Sequence, residues 1–278
     1  MRQVLIYPIL AALAIPISAH TQPLAACFDE MSSNDQIIAS CTADIQSRLG
    51  YDLTIAYLNR GIAYNETGRH DRAVADFDRA IADYDRAIAL KPKFAGAYYN
   101  RAIAYFGKGL FDQAIADNSQ AIALKPDYAE AIGNRGDAYR KKALFDQALA
   151  DYARAIALMP GNAALFSARA TIYEKQGLYE QALADDTRAI ALKPNDAAAY
   201  NGRAWTYHLK GDDARGLPDV QRALALSPGD ANSIETRAEI YERLGRRDAA
   251  LADYAAALKI DPTMTSAKEG LARLAGKP

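Results

Sequence analysis

The sequence predicts an all-α solenoid, in which antiparallel helix pairs stack one on another. Three observations lead to this fold class. Five prolines, from Pro126 to Pro262, recur at intervals of 34 residues. Each interval carries glycine or alanine at the same places. The 278-residue chain is rich in alanine and holds only 11 prolines, a composition that suits helices.

Alignment on the prolines gives six repeats, and each has the same residue type at fixed positions. Five begin at Ala95, Ala129, Ala163, Ala197 and Ala231, and an earlier one begins at Thr54. Position 11 is always tyrosine, position 27 is always alanine, and positions 8 and 20 are glycine or alanine. Glycine at position 15 in five repeats predicts the end of a first helix, and proline at position 32 ends a second. Small residues at positions 8 and 20 allow the two helices to approach closely.

These positions resemble those of the tetratricopeptide repeat (TPR) family over residues 54–264. The resemblance implies a right-handed α-solenoid whose concave inner surface is made mainly by the first helices. Such surfaces usually bind peptides or other proteins. The chain departs from the family at position 4, where tyrosine, isoleucine or phenylalanine replaces tryptophan, and at position 7, where arginine replaces leucine.

The predicted organisation is therefore a leader, a degenerate leading repeat, six TPRs and a closing helix. The boundaries are 1–19 for a signal peptide, 20–53 for the leading repeat, 54–94, 95–128, 129–162, 163–196, 197–230 and 231–264 for the TPRs, and 265–278 for the closing helix.

Two charged positions repeat with the same period. Position 7 is arginine (Arg60, Arg101, Arg135, Arg169, Arg203, Arg237) and position 23 is aspartate (Asp76, Asp117, Asp151, Asp185, Asp219, Asp253). Equal numbers of opposite charges favour a ladder of structural ion pairs. The alternative is that the arginines bind an acidic ligand.

Two repeats are irregular. In the first, the segment Asp76 to Ala82 is followed by a near-copy, Asp83 to Ala89. Seven residues make about two helical turns, so the second helix should continue unbroken and be longer by about 10 Å. The extension is either a docking feature or a neutral duplication. In the fifth repeat, Pro218 predicts a second helix that starts late or kinks, with local softness.

The first residues have the layout of a secretory signal peptide. A positive start precedes an apolar run from Val4 to Ile17, and cleavage is expected after Ala19. The mature chain would be periplasmic or secreted, with 32 basic and 34 acidic residues. The alternative is a lipoprotein box ending at Cys27, which would make an outer-membrane lipoprotein that assists envelope assembly. The polar stretch His20 to Pro23 argues against that box.

The chain has two cysteines, Cys27 and Cys41, which lie 14 residues apart. Two helices joined by a short loop would bring such positions together, and disulfides persist in exported proteins. A disulfide that fastens the N-terminal cap is therefore predicted. The alternative is a pair of buried free thiols.

The resemblance implies that the concave face is lined by positions 2, 5, 6, 9, 12 and 13 of each repeat. The candidate peptide-binding residues at these positions are Asn59, Tyr99, Asn100, Phe106, Asn134, Arg140, Asn201, Trp205 and His208. A row of asparagines can donate to and accept from a peptide backbone, and aromatic side chains can anchor it. The alternative is that the asparagines brace neighbouring helices.

Composition argues against most other functions. A net charge of −1 gives no field that would favour nucleic acid, and three dispersed histidines with two cysteines do not suggest a zinc site or a nucleophile–base pair. We find no glycine-rich phosphate loop. We therefore expect a non-enzymatic scaffold with no cofactor, no metal and no membrane span after cleavage. Its partner is an unidentified protein or peptide, and the sequence does not define its oligomeric state.

Overall fold

The computed structural model describes Cys27, residues 33–47 and residues 53–276. All the regular structure in these residues is helical, as the sequence predicts. The helices are α1 (Asn34–Ser47), α2 (Leu53–Glu66), α3 (His70–Leu90), α4 (Ala95–Gly107), α5 (Phe111–Leu124), α6 (Ala129–Lys141), α7 (Phe145–Leu158), α8 (Ala163–Lys175), α9 (Tyr179–Leu192), α10 (Ala197–Lys210), α11 (Asp213–Leu226), α12 (Ala231–Arg243), α13 (Arg247–Ile260) and α14 (Thr265–Ala275). The predicted signal peptide lies outside the described residues.

The helices form two compact units, α1 to α7 and α8 to α14. In each unit, every helix packs on the next one along the chain. First helices also contact the first helices of the adjacent repeats, as α2, α4 and α6 do in one unit and α8, α10 and α12 in the other. This arrangement confirms the predicted all-α solenoid, and it puts the first helices side by side on one face of each unit.

Position 15 ends each first helix in the left-handed region, as predicted. The glycines there have φ between 72° and 87°, and Ala143, which replaces glycine in the third repeat, has φ 57°. The turn is closed by the amides of the glycine and the following residue. In the second repeat these bonds run from Gly109 N to Phe106 O and from Leu110 N to Tyr105 O.

In two repeats the glycine at position 8 lies against an aromatic ring at position 24 of the same repeat. A Cβ at Gly61 would lie 2.9 Å from the ring of Phe77, and one at Gly136 would lie 3.1 Å from the ring of Tyr152. Both rings are fully buried. In these two helix pairs the missing side chain on the first helix leaves room for a large one on the second.

The arginine ladder is present in all six repeats. In each, the arginine Nε and Nη2 donate to the two carboxylate oxygens of the aspartate 16 residues later, over 2.7–2.9 Å. In four repeats Nη1 also contacts a side chain on the preceding helix: Thr42, Asp85, Ser119 or Thr187. The arginine thus joins two helices in every repeat and three helices in these four, which confirms the structural interpretation of these charges.

The duplicated heptad continues α3 without a break. This helix has 21 residues, whereas the second helices of the other repeats have 14 each. The two copies make different contacts. Asp76 of the first copy pairs with Arg60 of its own repeat, and Asp85 of the second pairs with Arg101 of the next repeat. The insertion keeps the register of both contacts because it adds almost whole turns.

The prediction that the fifth repeat's second helix starts late is wrong. α11 begins at Asp213 and has the usual 14 residues, with Pro218 inside it. Proline removes one N–H, but the residues after it keep their packing. Asp219 forms its ion pair with Arg203, and Val220 and Ala223 are fully buried. These contacts outweigh the loss of one helical hydrogen bond.

Caps are described at both ends. At the N-terminal end α1 packs on α2, and a disulfide joins Cys27 to Cys41, whose Cα atoms are 4.8 Å apart. At the C-terminal end α14 packs on α13 and exposes Lys268, Glu269 and Arg273, as expected for a terminal helix. None of the described helices combines the length and the apolar character that crossing a bilayer requires.

Candidate functional site

In the first unit, the candidate residues lie on the first helices α2, α4 and α6. Tyr99 is buried, and its ring centroid is 4.9 Å from that of Tyr128. The side chain of Asn134 forms a hydrogen bond with Tyr99, and burial raises the pKa of the tyrosine hydroxyl. The bond joins α4 to α6, so here an asparagine does brace neighbouring helices, as one of the two interpretations of the row expects.

Asn59 shows the second predicted role of these asparagines, which is to hydrogen-bond a peptide backbone. Its Nδ2 donates to the backbone carbonyl of Cys27 over 2.9 Å, and only 6% of the residue is exposed. The backbone of Cys27 therefore occupies the hydrogen-bonding position of the first asparagine in the row. The chain itself provides an example of this amide holding a backbone carbonyl.

The remaining residues of this unit differ in exposure. Asn100 and Phe106 are half-buried, and the Phe106 ring lies 5.2 Å from that of Phe111. Arg140 is 8% exposed and donates through Nε to Tyr152 and through Nη2 to Asp137. Asn100 and Phe106 are thus accessible to a ligand, whereas the guanidinium of Arg140 is held inside the unit.

In the second unit, the candidate residues Asn201, Trp205 and His208 share one face of α10, since they are spaced four and three residues apart. Trp205 is half-buried, and its ring stacks on that of His208 with centroids 5.2 Å apart. Asn201 is 8% exposed, and its buried Oδ1 has no hydrogen-bond partner within the described structure. An acceptor in that state favours a ligand that donates a hydrogen bond.

His208 is the centre of a charged network rather than an open contact residue. Its Nδ1 lies 2.6 Å from Asp213 Oδ1, and its Nε2 lies 2.9 Å from Arg243 Nη2. Because a carboxylate only accepts, Asp213 accepts from Nδ1, whereas Nε2 faces both the Arg243 guanidinium and Glu239 Oε2, which lies 3.3 Å away. Arg243 Nε also lies 3.2 Å from the other Asp213 oxygen, so the network joins α10, α11 and α12.

A cleft of about 550 Å³ opens beside this network. Side chains from α10, α12, α13 and α14 line it: His208, Glu239, Glu242, Arg243, Tyr254, Ser266, Glu269 and Arg273. Arg273 holds Glu242 through two hydrogen bonds of 2.6 and 2.7 Å, and Tyr254 donates to the same carboxylate over 2.9 Å. Burial, followed by Glu242, raises the pKa of the Tyr254 hydroxyl.

The acidic side of this cleft is not among the residues predicted from the sequence, although a signal is present there. Positions 5, 9 and 12 of the sixth repeat are Glu235, Glu239 and Glu242, and these positions had been assigned to the inner face. A second signal was Asp213, which stands at position 17, where three other repeats have phenylalanine or tyrosine. Among the described residues, no group of side chains has the arrangement of a metal site.

Models of TPR families match most of the chain. Those described as tetratricopeptide repeat match residues 95–128, 134–197, 167–231 and 231–264, and one described as TPR repeat matches 61–109. A search of curated proteins gives no significant match.

Solved TPR structures have a similar fold. PilW, a widely conserved type IV pilus biogenesis factor, gives a TM-score of 0.66 at 22% identity, over 80% of this chain and 100% of PilW. A tetratricopeptide repeat protein from Parabacteroides merdae ATCC 43184 gives 0.60 at 20% identity, over 87% of this chain and 93% of that one. YrrB, a TPR protein with an unusual peptide-binding site, gives 0.54 at 23% identity, over 67% and 96%.

The agreement rests on features that were first visible in the sequence. The 34-residue period appears as helix pairs, position 15 is left-handed, and in two repeats the glycine at position 8 faces a ring at position 24. The family matches together span residues 61–128 and 134–264. The chain belongs to the tetratricopeptide repeat family.

Proposed function

We propose that this protein is a non-enzymatic, exported scaffold that binds a peptide or another protein through the faces of its first helices. The observation that carries the proposal is the face of α10 that holds Asn201, Trp205 and His208. There a half-buried tryptophan, Trp205, lies one turn from Asn201, whose buried amide oxygen has no partner in the described structure. A large aromatic surface beside an unused acceptor suits a ligand that has apolar groups and backbone N–H donors.

The first unit supports the same role with a different set of side chains. Asn100 and Phe106 lie half-buried on α4. Asn59, one repeat earlier, already holds a backbone carbonyl. The similar structures include a TPR protein with a peptide-binding site and a pilus biogenesis factor, roles that involve other proteins.

Export to the periplasm is supported by the N-terminal residues and by the disulfide. A pair of cysteines joined in this way persists in an oxidising compartment. The same pair disfavours the lipoprotein alternative, because a lipidated Cys27 would have its sulfur in a thioether and could not bond to Cys41. Intact mass of the mature chain distinguishes the two: cleavage after Ala19 leaves both cysteines in an unmodified chain, whereas lipidation starts the chain at a diacylated Cys27.

Photo-crosslinking tests the binding role. A photoreactive phenylalanine analogue replaces Trp205 or Asn100 in the full chain, and crosslinked species are recovered from the native envelope. We expect discrete adducts from both sites, and an excess of unlabelled Trp205→Ala or Phe106→Ala chain should fail to compete them away. The matched control places the analogue at Gln147, an exposed residue of the second helix α7. Identical adducts from Gln147, or full competition by the alanine variants, would contradict the proposal.

A further inference from the structure

We propose that the cleft between α10, α12 and α14 is a docking site for a basic segment of a partner protein, one that presents lysine or arginine side chains. The inference rests on the proposed function and adds the chemistry of the partner. It starts from the charges on the cleft walls. Three carboxylates, Glu239, Glu242 and Glu269, line the cleft, and two guanidinium groups, Arg243 and Arg273, face them.

Both arginines already have carboxylate partners. Arg273 holds Glu242 in a two-bond fork. Arg243 lies 3.2 Å from Asp213, which is 4% exposed behind the cleft wall, and it also donates to the backbone carbonyl of His208. Once these pairs are formed, the positive charge of the cleft walls is neutralised.

The carboxylates of Glu239 and Glu269 remain. Within the described part of the chain no lysine or arginine pairs with either of them. Glu239 Oε2 lies 3.3 Å from Nε2 of His208, and that nitrogen also lies 2.9 Å from Nη2 of Arg243. Glu235, one turn before Glu239 on the same face of α12, adds a third negative charge and accepts from Ser266. The open side of the cleft is therefore acidic.

The negative charge of the cleft indicates which kind of segment binds there. An ammonium or guanidinium group meets two or three carboxylates here, whereas an acidic segment would be repelled by the same groups. The cleft, at about 550 Å³, is large enough for the side chains of a short segment. The face of α10 continues the site, because Trp205 stacks on His208 and can take a cation on its ring, and Asn201 offers its amide oxygen to a backbone N–H.

The test measures binding of fluorescent nine-residue peptides to the full mature chain by anisotropy. The probes have one apolar framework and carry three lysines, three acetyl-lysines or three glutamates. We expect the lysine probe to bind in low salt and to weaken as salt is raised, because exposed charges are screened. The acetylated and acidic probes should bind at least about tenfold more weakly. Equal binding of all three probes would overturn the proposal.

Variants then locate the site. Glu239→Gln with Glu269→Gln removes both charges and keeps the shapes, and we expect affinity for the lysine probe to fall about tenfold. Asp248→Asn is the matched control, since it removes one exposed carboxylate from the second helix α13 of the same unit and should leave binding unchanged. Thermal unfolding followed by circular dichroism checks that the double variant stays folded. Unchanged affinity in a folded double variant would overturn the assignment to this cleft.

Two further outcomes separate this inference from the function on which it rests. The crosslinked partner could be lost from Trp205→Ala but retained by the Glu239→Gln, Glu269→Gln variant. In that case the first-helix face binds a partner as proposed, and only the basic-segment proposal fails. If no partner is crosslinked from any first helix, the proposed function fails too. Sedimentation at low salt covers another occupant: self-association that the double variant abolishes would assign the cleft to a second copy of this chain and overturn the proposal.

Discussion

At the scale of single residues, the arginine at position 7 does more than replace an apolar side chain. Its planar fork matches the carboxylate of position 23, and Nη1 is left to reach the preceding helix. In five repeats the guanidinium carbon also lies 5.7–5.8 Å from the ring centre of the tyrosine at position 11. One side chain therefore binds to an acid, to a ring and in four repeats to the neighbouring repeat.

Arg135→Ala tests this role. The change removes both bonds to Asp151, whose side chain is 8% exposed, and leaves that carboxylate buried without its partner. We expect a loss of roughly 2–4 kcal/mol, near the range for breaking a buried pair by removing one member. The measurement is urea unfolding followed by circular dichroism, together with the thermal midpoint.

Two further variants serve as controls for Arg135→Ala. Arg188→Ala removes an exposed arginine of α9 and should change the midpoint little. Arg135→Leu with Asp151→Leu removes both charges and should recover part of the loss. If Arg135→Ala kept its full stability but lost binding to a partner, the arginines would have to be reassigned as ligand-binding residues.

The candidate residues show what a sequence pattern predicts at this scale and what it does not. The repeat frame places Trp205 and His208 on one helix face, and both lie there. The frame does not show that His208 and Arg140 are enclosed, because their partners come from a neighbouring helix: Arg243 lies 35 residues after His208, and Tyr152 lies 12 residues after Arg140. How far a candidate residue is enclosed depends on those partner side chains, and the 34-residue period does not specify them.

At the scale of helices, the effect of the duplicated heptad on α3 was predictable, because seven residues make almost two whole helical turns. Near-whole turns leave the buried face in place, so Phe77 and Tyr84, one from each copy, are both buried. The start of α11 was not predictable from the local rule against proline. The rule describes an isolated helix. Tertiary contacts stabilise α11, namely the buried side chains of Val220 and Ala223 and the ion pair between Asp219 and Arg203.

Pro218→Ala should stabilise this helix. Alanine restores an N–H that can donate to the carbonyl of Ala214, four residues earlier, and it removes the clash of the ring with the preceding turn. We expect a gain of roughly 1–3 kcal/mol in local stability, less than the full penalty because the surroundings have adapted to proline. Native-state hydrogen exchange measures it: the amides of α11 should exchange more slowly in the variant.

The matched control is Gln221→Ala, an exposed position of the same helix, which should leave exchange nearly unchanged. The wild-type α11 should also exchange faster than α9, the equivalent helix of the preceding repeat and one without an internal proline. Equal exchange in α9 and α11, with no effect of Pro218→Ala, would contradict the expected softness of this repeat.

At the scale of the whole molecule, the fold followed from the sequence because a repeat protein uses one set of contacts many times. Six copies of position 15, and of the pair at positions 7 and 23, identify turns and ion pairs that one copy would leave ambiguous. The ends have no copies to compare. How the N-terminal cap is fastened therefore depends on particular residues, on Cys27, Cys41 and Asn59, and not on the period.

The disulfide gives a prediction for the intact protein. Repeats are stabilised by their neighbours, and in the described part of the chain α1 packs mainly on α2, so the disulfide supplements packing that comes from one side. A bond closing a loop of this size stabilises by about 3 kcal/mol. We expect no free thiols in the unreduced, unfolded mature protein, and a lower thermal midpoint after reduction. A Cys27→Ser, Cys41→Ser variant should unfold near the midpoint of the reduced protein and ignore the reductant. Two titratable thiols in the unreduced chain would instead mean that Asn59 and packing alone hold the cap.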